Sequence, residues 1–152
     1  MNVKELGHLV LYVRDAERSA RFYRELLGWD QVFPADGETV GAAAAFSSGR
    51  THHELLLIEV GEGAAAQPAG RRVGLYHFGL KVGDTDDELR EALDRLRQAG
   101  VQLVGSSDHT VTHSLYILDP DGNEVELYID VEGVDWRNDP ALAMAGVKPL
   151  VL

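Results

Sequence analysis

An internal repeat limits the folds available to this chain more than any other feature. Residues 7–13 (GHLVLYV) resemble residues 76–82 (YHFGLKV), and each copy runs into an acidic residue followed by a helical pattern. His8 thereby aligns with His77, an offset of 69 residues that the following positions keep. Two copies are too few for a solenoid, so the repeat indicates two tandem supersecondary modules related by a pseudo-twofold axis.

Each copy has the same order of elements: a strand, a helix and three further strands. Asp15 is the predicted N-cap of a helix over 16–27 that Gly28 stops, whereas Asp84 and Asp87 offer a capping pair for a second helix that Gly100 ends. Period and turn residues predict the eight strands at 5–13, 29–34, 40–47, 53–60, 74–82, 101–105, 113–118 and 123–129, with turns at 34–37, 47–49 and 119–123.

This order predicts an α+β fold in which two tandem βαβββ modules form a curled eight-stranded mixed sheet with its helices outside. A length of 152 residues fits a single domain over 1–152. Within it we expect module one at 1–60, a linker rich in Gly and Ala at 61–72, module two at 73–130 and a tail at 131–152.

Composition excludes several classes of partner and site. The net charge of −11 opposes binding to nucleic acid and to anionic membrane surfaces. No run approaches the roughly 20 apolar residues of a membrane span, and the first residues, MNVKE, do not resemble a signal peptide, so a cytoplasmic protein is expected. Because the chain has no cysteine, any metal would be held by His, Asp, Glu and water.

The repeat and the strand period together predict a metal site. His8 and His77 occupy equivalent positions of the two modules, so a twofold arrangement with these faces inward would bring both imidazoles to one point. Glu126 shares a face of the last strand with Glu124 and Tyr128, and an acid inside an apolar strand is costly unless it is paired or binds metal. Two histidines and one carboxylate with open positions suit non-haem Fe(II).

These motifs resemble the vicinal oxygen chelate superfamily, and within it the extradiol ring-cleaving dioxygenases of the catechol 2,3-dioxygenase type. The resemblance covers nearly the whole chain and rests on Gly7-His8, Leu75-Tyr76-His77-Phe78, Thr51-His52-His53, Ser107-Asp108-His109 and, most specifically, the block from Asp119 to Tyr128 (DPDGNEVELY).

The resemblance assigns roles residue by residue. It implies that the iron ligands are His8, His77 and Glu126, and that the catalytic residues are His53 as the acid/base, Tyr116 as a hydrogen-bond donor to substrate, and His109 as a second active-site histidine. Adjacent residues of a strand point in opposite directions, so only one of His52 and His53 can enter the pocket, and we choose His53. The implied reactants are a catechol-type aromatic diol and O2, the implied cofactor is Fe(II) with Mn(II) as an alternative, and a homo-oligomer is expected.

Two other functions stay open. Strand parity places Glu59 on the face of His53, and a fourth ligand there would resemble the glyoxalase-type relatives, whose two His and two Glu hold Zn or Ni for proton-transfer isomerisation. The same superfamily includes small metal-free proteins that bind antibiotics such as bleomycin in an acidic groove, which the charge of −11 would suit.

Overall fold

The order predicted from the repeat is present twice in the computed structural model, which describes residues 1–35, 40–68 and 70–152. The structure divides into two compact units, Met1–Pro68 and Ala69–Leu152. The division falls within the predicted linker 61–72. In the predicted turn at 34–37, residues 36 and 37 lie outside the described residues.

Among its described residues, the first unit contains a helix and a four-stranded mixed sheet. Its elements are β1 (Leu9–Val13), α1 (Ala16–Arg21) with a π-helical continuation (Phe22–Leu26), β2 (Gln31–Phe33), β3 (Ala43–Phe46) and β4 (Leu55–Glu59). The strand order is β1-β4-β3-β2, in which β1 and β4 are parallel and the other neighbours are antiparallel. The first and last strands of the module are therefore neighbours.

The second unit repeats this arrangement. Its elements are β5 (His77–Gly83), α2 (Asp86–Gln98), β6 (Leu103–Asp108), β7 (Thr112–Leu118), β8 (Glu124–Asp130) and a short 3₁₀ helix (Pro140–Met144). The strand order is β5-β8-β7-β6, and again the first and last strands, β5 and β8, are parallel. After the sheet, the tail returns to its edge, where Lys148 forms an isolated β-bridge with Asp108.

The α+β class and the two tandem modules are confirmed. The eight strands found among the described residues form two four-stranded sheets, whereas the sequence predicted one eight-stranded sheet. Pairing within each module accounts for the difference. The last strand of each module hydrogen-bonds to the first strand of the same module. Each sheet therefore consists of the four strands of one module.

Capping groups define where the helices begin and end. Asp15 caps α1 as predicted, since its side chain accepts a hydrogen bond from the backbone N–H of Arg18. The second helix is capped by Thr85, not by the predicted pair Asp84 and Asp87, because Thr85 and Glu88 have the spacing of a capping box and form both of its bonds. No helix within the described part of the chain is long and apolar enough to cross a membrane.

The core of each unit lies between its helix and one face of its sheet. In the second unit, alternate residues of β8 are buried together with Leu115 and Ile117 of β7, and helix α2 covers them with an apolar stripe spaced three and four residues apart. The buried set is Leu89, Leu93, Leu96, Leu115, Ile117, Val125, Leu127 and Ile129. The opposite face of the sheet is consequently free to carry polar side chains.

Gly83 permits the close contact between the end of β5 and helix α2. A Cβ atom at this position would lie 2.6 Å from Cβ of Glu88, a separation that side chains do not adopt. We expect Gly83→Ala to lower the free energy of unfolding by about 1–3 kcal/mol, because the helix would have to shift. Urea denaturation measures the change, with Gly146→Ala as a control because a Cβ atom there meets nothing within 4 Å. Equal stabilities of the two variants would contradict the prediction.

Candidate active site

In the second unit, a parallel strand pair places His77 beside Glu126. Strand β8 alternates as predicted, so Glu124, Glu126 and Tyr128 lie on the face opposite the core. His77 is the first residue of β5, and its Nε2 lies 3.4 Å from Oε2 of Glu126. The two side chains that the repeat and the strand period indicated are therefore neighbours within one sheet.

The partner of Glu126 on β5 is a glycine, and this leaves room for the carboxylate. Gly79 pairs with Glu126 in the parallel ladder. A Cβ atom on Gly79 would lie 3.3 Å from Oε2 of Glu126 and 3.2 Å from Cε1 of Tyr128. Since both contacts are tighter than ordinary van der Waals contact, the missing side chain permits Glu126 to lie over β5 toward His77.

Tyr116 and His109 extend this contact into a hydrogen-bonded row. Tyr116 pairs with Glu126 across the antiparallel strands β7 and β8, and its hydroxyl donates to Oε1 of Glu126 at 3.1 Å. Nε2 of His109, in the β6–β7 turn, lies 2.7 Å from the same hydroxyl oxygen. A phenol has one proton, so while Tyr116 donates to Glu126, the His109 ring must donate from Nε2 to Tyr116.

Burial and charge keep the Tyr116 hydroxyl protonated. Desolvation, followed by the nearby Glu126 carboxylate and its hydrogen bond, raises the pKa of Tyr116 to about 12. A tyrosine is already a phenol at neutral pH, and the raised pKa of Tyr116 keeps its hydroxyl a hydrogen-bond donor into the alkaline range. This is the state that the role predicted for Tyr116 requires.

The first unit contains a second cluster of imidazoles, formed by His8, His52 and His53. The His8 ring centroid lies 4.7 Å from that of His53 and 6.4 Å from that of His52. His8 was predicted inside a strand over 5–13, but β1 begins at Leu9, so His8 lies just before the strand and is exposed. The first backbone bond there, from Leu9 N–H to the carbonyl of Glu54, marks where pairing starts.

His52 and His53 do not point in opposite directions, contrary to the expectation from strand parity. Strand β4 begins only at Leu55, and in the bend before it the Nδ1 atoms of the two rings lie 2.6 Å apart. One ring must donate and the other accept at this distance, so the pair shares a single proton. Desolvation, then the charges of His52 and His8, lowers the pKa of His53, which favours its neutral form.

Glu59, the candidate fourth ligand, has a structural partner. It is exposed at the end of β4, and its Oε2 accepts a hydrogen bond of 2.9 Å from the backbone N–H of Ala16, the first residue of helix α1. A carboxylate at this position complements the positive end of the helix dipole. The contact explains an acidic residue here without a metal ion.

The predicted site residues fall into two groups. His77, Glu126, Tyr116 and His109 lie together in Ala69–Leu152, whereas His8 and His53 lie near each other in Met1–Pro68. Among the described residues, no three His, Asp or Glu side chains are arranged to hold a metal ion. That His8 binds a metal ion together with His77 and Glu126 therefore stays a prediction.

Two residues near these groups were missed by the sequence reasoning. His52 was set aside by the strand-parity argument, and Glu124 was placed on the right face but given no role. Glu124 pairs with His77 in the parallel ladder, and its Oε1 lies 3.4 Å from Nδ1 of His77. Its position two residues before Glu126 was the available signal.

Comparison with known proteins agrees with this fold. The sequence pattern of the Glyoxalase/Bleomycin resistance protein/Dioxygenase superfamily matches residues 5–127. The solved structure of lactoylglutathione lyase from Agrobacterium tumefaciens superposes with a TM-score of 0.61 at 26% identity, covering 85% of this chain and 96% of that one. The chain belongs to the Glyoxalase/Bleomycin resistance protein/Dioxygenase superfamily.

Relatives within the superfamily differ in activity. A catechol-2,3-dioxygenase of Bacillus subtilis (strain 168) is 34% identical over 134 residues, which cover 88% of this chain and 44% of the relative. An ethylmalonyl-CoA/methylmalonyl-CoA epimerase of Cereibacter sphaeroides is 30% identical over 112 residues, which cover 70% of this chain and 78% of the relative. The chain thus spans less than half of the dioxygenase, and the superfamily includes enzymes of other reaction classes.

Proposed function

We propose that this chain is a metal-dependent extradiol ring-cleaving dioxygenase that acts on a catechol-type aromatic diol with O2. The observation that carries the proposal is the row of contacts from His109 through Tyr116 and Glu126 to His77 on one face of the second sheet. An isomerase of the glyoxalase type has no evident use for the Tyr116 and His109 pair. Similarity to catechol and biphenyl-diol dioxygenases supports the same choice.

The donor set fits a divalent metal ion. His77 Nε2 and Glu126 Oε2 are 3.4 Å apart, and two ligand atoms bound to one ion at about 2.1 Å each lie roughly 3.0–3.4 Å apart. We propose His77 and Glu126 as two ligands, with His8 as the third by repeat symmetry and resemblance. Fe(II), or Mn(II) with the same ligands, would supply the positive charge that makes the catechol hydroxyls more acidic and the redox chemistry that a reaction with O2 needs.

The remaining residues orient substrate and move protons. Tyr116 carries a hydroxyl proton that it now shares with Glu126, and donating it to a substrate oxygen would orient the ring. His53 uses Nδ1 toward His52, which leaves Nε2 as the atom that takes a proton from the substrate hydroxyl and later returns it. His109 steadies the Tyr116 hydroxyl from its other side. A homo-oligomer stays a prediction.

The alternative with four ligands has less support. It needs Glu59 at the metal, but the Glu59 carboxylate accepts the hydrogen bond from the start of helix α1. The similar epimerase and lactoylglutathione lyase are named for reactions other than ring cleavage, which keeps the alternative open. Metal loss in Glu59→Gln equal to that in Glu126→Gln would favour the alternative.

The direct test is anaerobic loading with Fe(II), followed by catechol and air. The proposal predicts a yellow ring-opened semialdehyde product, with oxygen consumed in equal amount, while Glu126→Ala forms none. Tight metal binding without product across several catechols would overturn the dioxygenase and favour an isomerase. A protein that holds no metal yet takes up bleomycin stoichiometrically would favour the binding role.

His53→Phe is expected to retain bound metal and to lower turnover by about 10²- to 10⁴-fold, because the ring that moves the proton is lost while its shape is kept. Metal content per chain and the rate of product formation are the two measurements. His52→Phe is the matched comparison and should lose less, since it removes only the partner at Nδ1 of His53. Turnover of His53→Phe within tenfold of the unaltered protein would exclude the acid/base role.

A further inference from the structure

The two ring nitrogens of His77 face two different carboxylates. Nε2 lies 3.4 Å from Glu126, and Nδ1 lies 3.4 Å from Oε1 of Glu124. Nδ1 is buried and has no hydrogen-bond partner among the described residues. A buried ring nitrogen without a partner is costly, so the adjacent acid at this atom calls for an explanation.

Strand register holds Glu124 at the level of the imidazole. Glu124 is the direct partner of His77 in the parallel pair of β5 and β8, and it shares the polar face of β8 with Glu126. Its side chain is only 20% exposed. From another side, the hydroxyl of Tyr76 is hydrogen-bonded to it. The carboxylate is therefore fixed by its strand and by a neighbour, with one oxygen toward Nδ1.

We propose that Glu124 is a positioning residue that accepts the Nδ1–H of His77 and thereby leaves Nε2 unprotonated on the side of Glu126. This inference rests on the proposed role of His77 as a metal ligand. Closing the gap from 3.4 Å to a hydrogen bond of about 2.9 Å takes only a small rotation of the ring. A histidine ligand whose other nitrogen donates to a carboxylate has a fixed tautomer and ring orientation.

The contribution of Glu124 is to select the tautomer of His77. An imidazole with its proton on Nε2 presents a hydrogen where a ligand lone pair is required. Without an acceptor at Nδ1, both tautomers of His77 become available, and part of the protein cannot bind metal through Nε2. Loss of such an outer carboxylate typically weakens metal binding by about 10- to 100-fold.

The experiment compares Glu124→Leu, which removes every acceptor, with Glu124→Gln, whose amide oxygen still accepts a hydrogen bond. Titration with Mn(II) by calorimetry should show affinity about 10- to 100-fold lower for Glu124→Leu and less than about tenfold lower for Glu124→Gln. Glu132→Gln, on an exposed residue after β8, is the control and should match the unaltered protein. If Glu124 served only the stability of the fold, the Mn(II) affinities of the two variants would not follow their ability to accept a hydrogen bond from Nδ1 of His77.

A second readout needs no metal. Nitrogen-15 NMR of the metal-free protein should show His77 protonated at Nδ1, and in Glu124→Leu a mixture or the Nε2–H form. The inference is overturned if the tautomer of His77 is the same in both proteins, or if Mn(II) binds both equally. Should the unaltered protein bind neither Mn(II) nor, under nitrogen, Fe(II), the proposed function fails, and the NMR comparison still decides the role of Glu124.

Discussion

Glu126→Ala is expected to abolish metal retention and, with it, ring cleavage. The carboxylate is the only acidic side chain that both faces His77 Nε2 and accepts from Tyr116 among the described residues. Because loss of an outer partner of a ligand already costs about 10- to 100-fold in affinity, loss of the ligand itself should exceed about 100-fold. Dialysis against Fe(II) under nitrogen, followed by metal analysis, measures the loss.

Two comparisons make this result specific. Glu132→Ala removes an exposed acid after the same strand and should retain metal as the unaltered protein does. The far-ultraviolet circular dichroism of Glu126→Ala should be unchanged, since Glu126 lies on the polar face of β8 and contributes nothing to the core. Metal content of folded Glu126→Ala within threefold of the unaltered protein would remove Glu126 from the ligand set.

Phe46→Ala is expected to be the most destabilising single substitution in the first unit, lowering the free energy of unfolding by about 3–5 kcal/mol. Phe46 is fully buried on β3, and its ring packs against Tyr23 at 5.8 Å and Trp29 at 6.1 Å between centroids. Removing the ring leaves a cavity that its two aromatic neighbours and a short strand cannot close. Guanidinium denaturation followed by circular dichroism measures the change.

Tyr12→Ala is the matched aromatic control for this prediction. The Tyr12 side chain is 72% exposed on β1, so its removal should change the stability by less than about 0.5 kcal/mol. A loss below about 1 kcal/mol in Phe46→Ala would show that the aromatic cluster is not the core of this unit.

The contacts of the candidate site in the second unit were largely predictable from local regularities. The two-residue period of β8 places Glu126 on the polar face, and the turn between Asp119 and Asn123 sets the register of the β7–β8 hairpin. That register puts Tyr116 directly opposite Glu126. The strand period and the turn each involve only a few neighbouring residues, so the sequence alone could predict which side chains they bring together.

The histidines of the first unit were misplaced because their positions depend on long-range pairing. Strand β1 begins where its parallel partner β4 begins, with Leu9 opposite Leu55. Nothing within residues 5–13 indicates where a partner more than forty residues away starts to pair. His8 and His53 therefore precede their strands, and bends rather than strand parity direct their rings. The pairing of Glu124 with His77 also depends on long-range strand pairing, and for that reason the sequence did not predict it.

The parallel pairing of β5 with β8 also has a consequence for folding. These strands are the first and last of their module, so the contact between His77 and Glu126 joins residues that are far apart in the sequence. Loop-closure entropy opposes contacts so distant in sequence and slows their formation. A newly synthesised chain thus lacks the pair until the module is complete, and any ligand that bridges the two residues would act as a selective stabiliser of the finished fold.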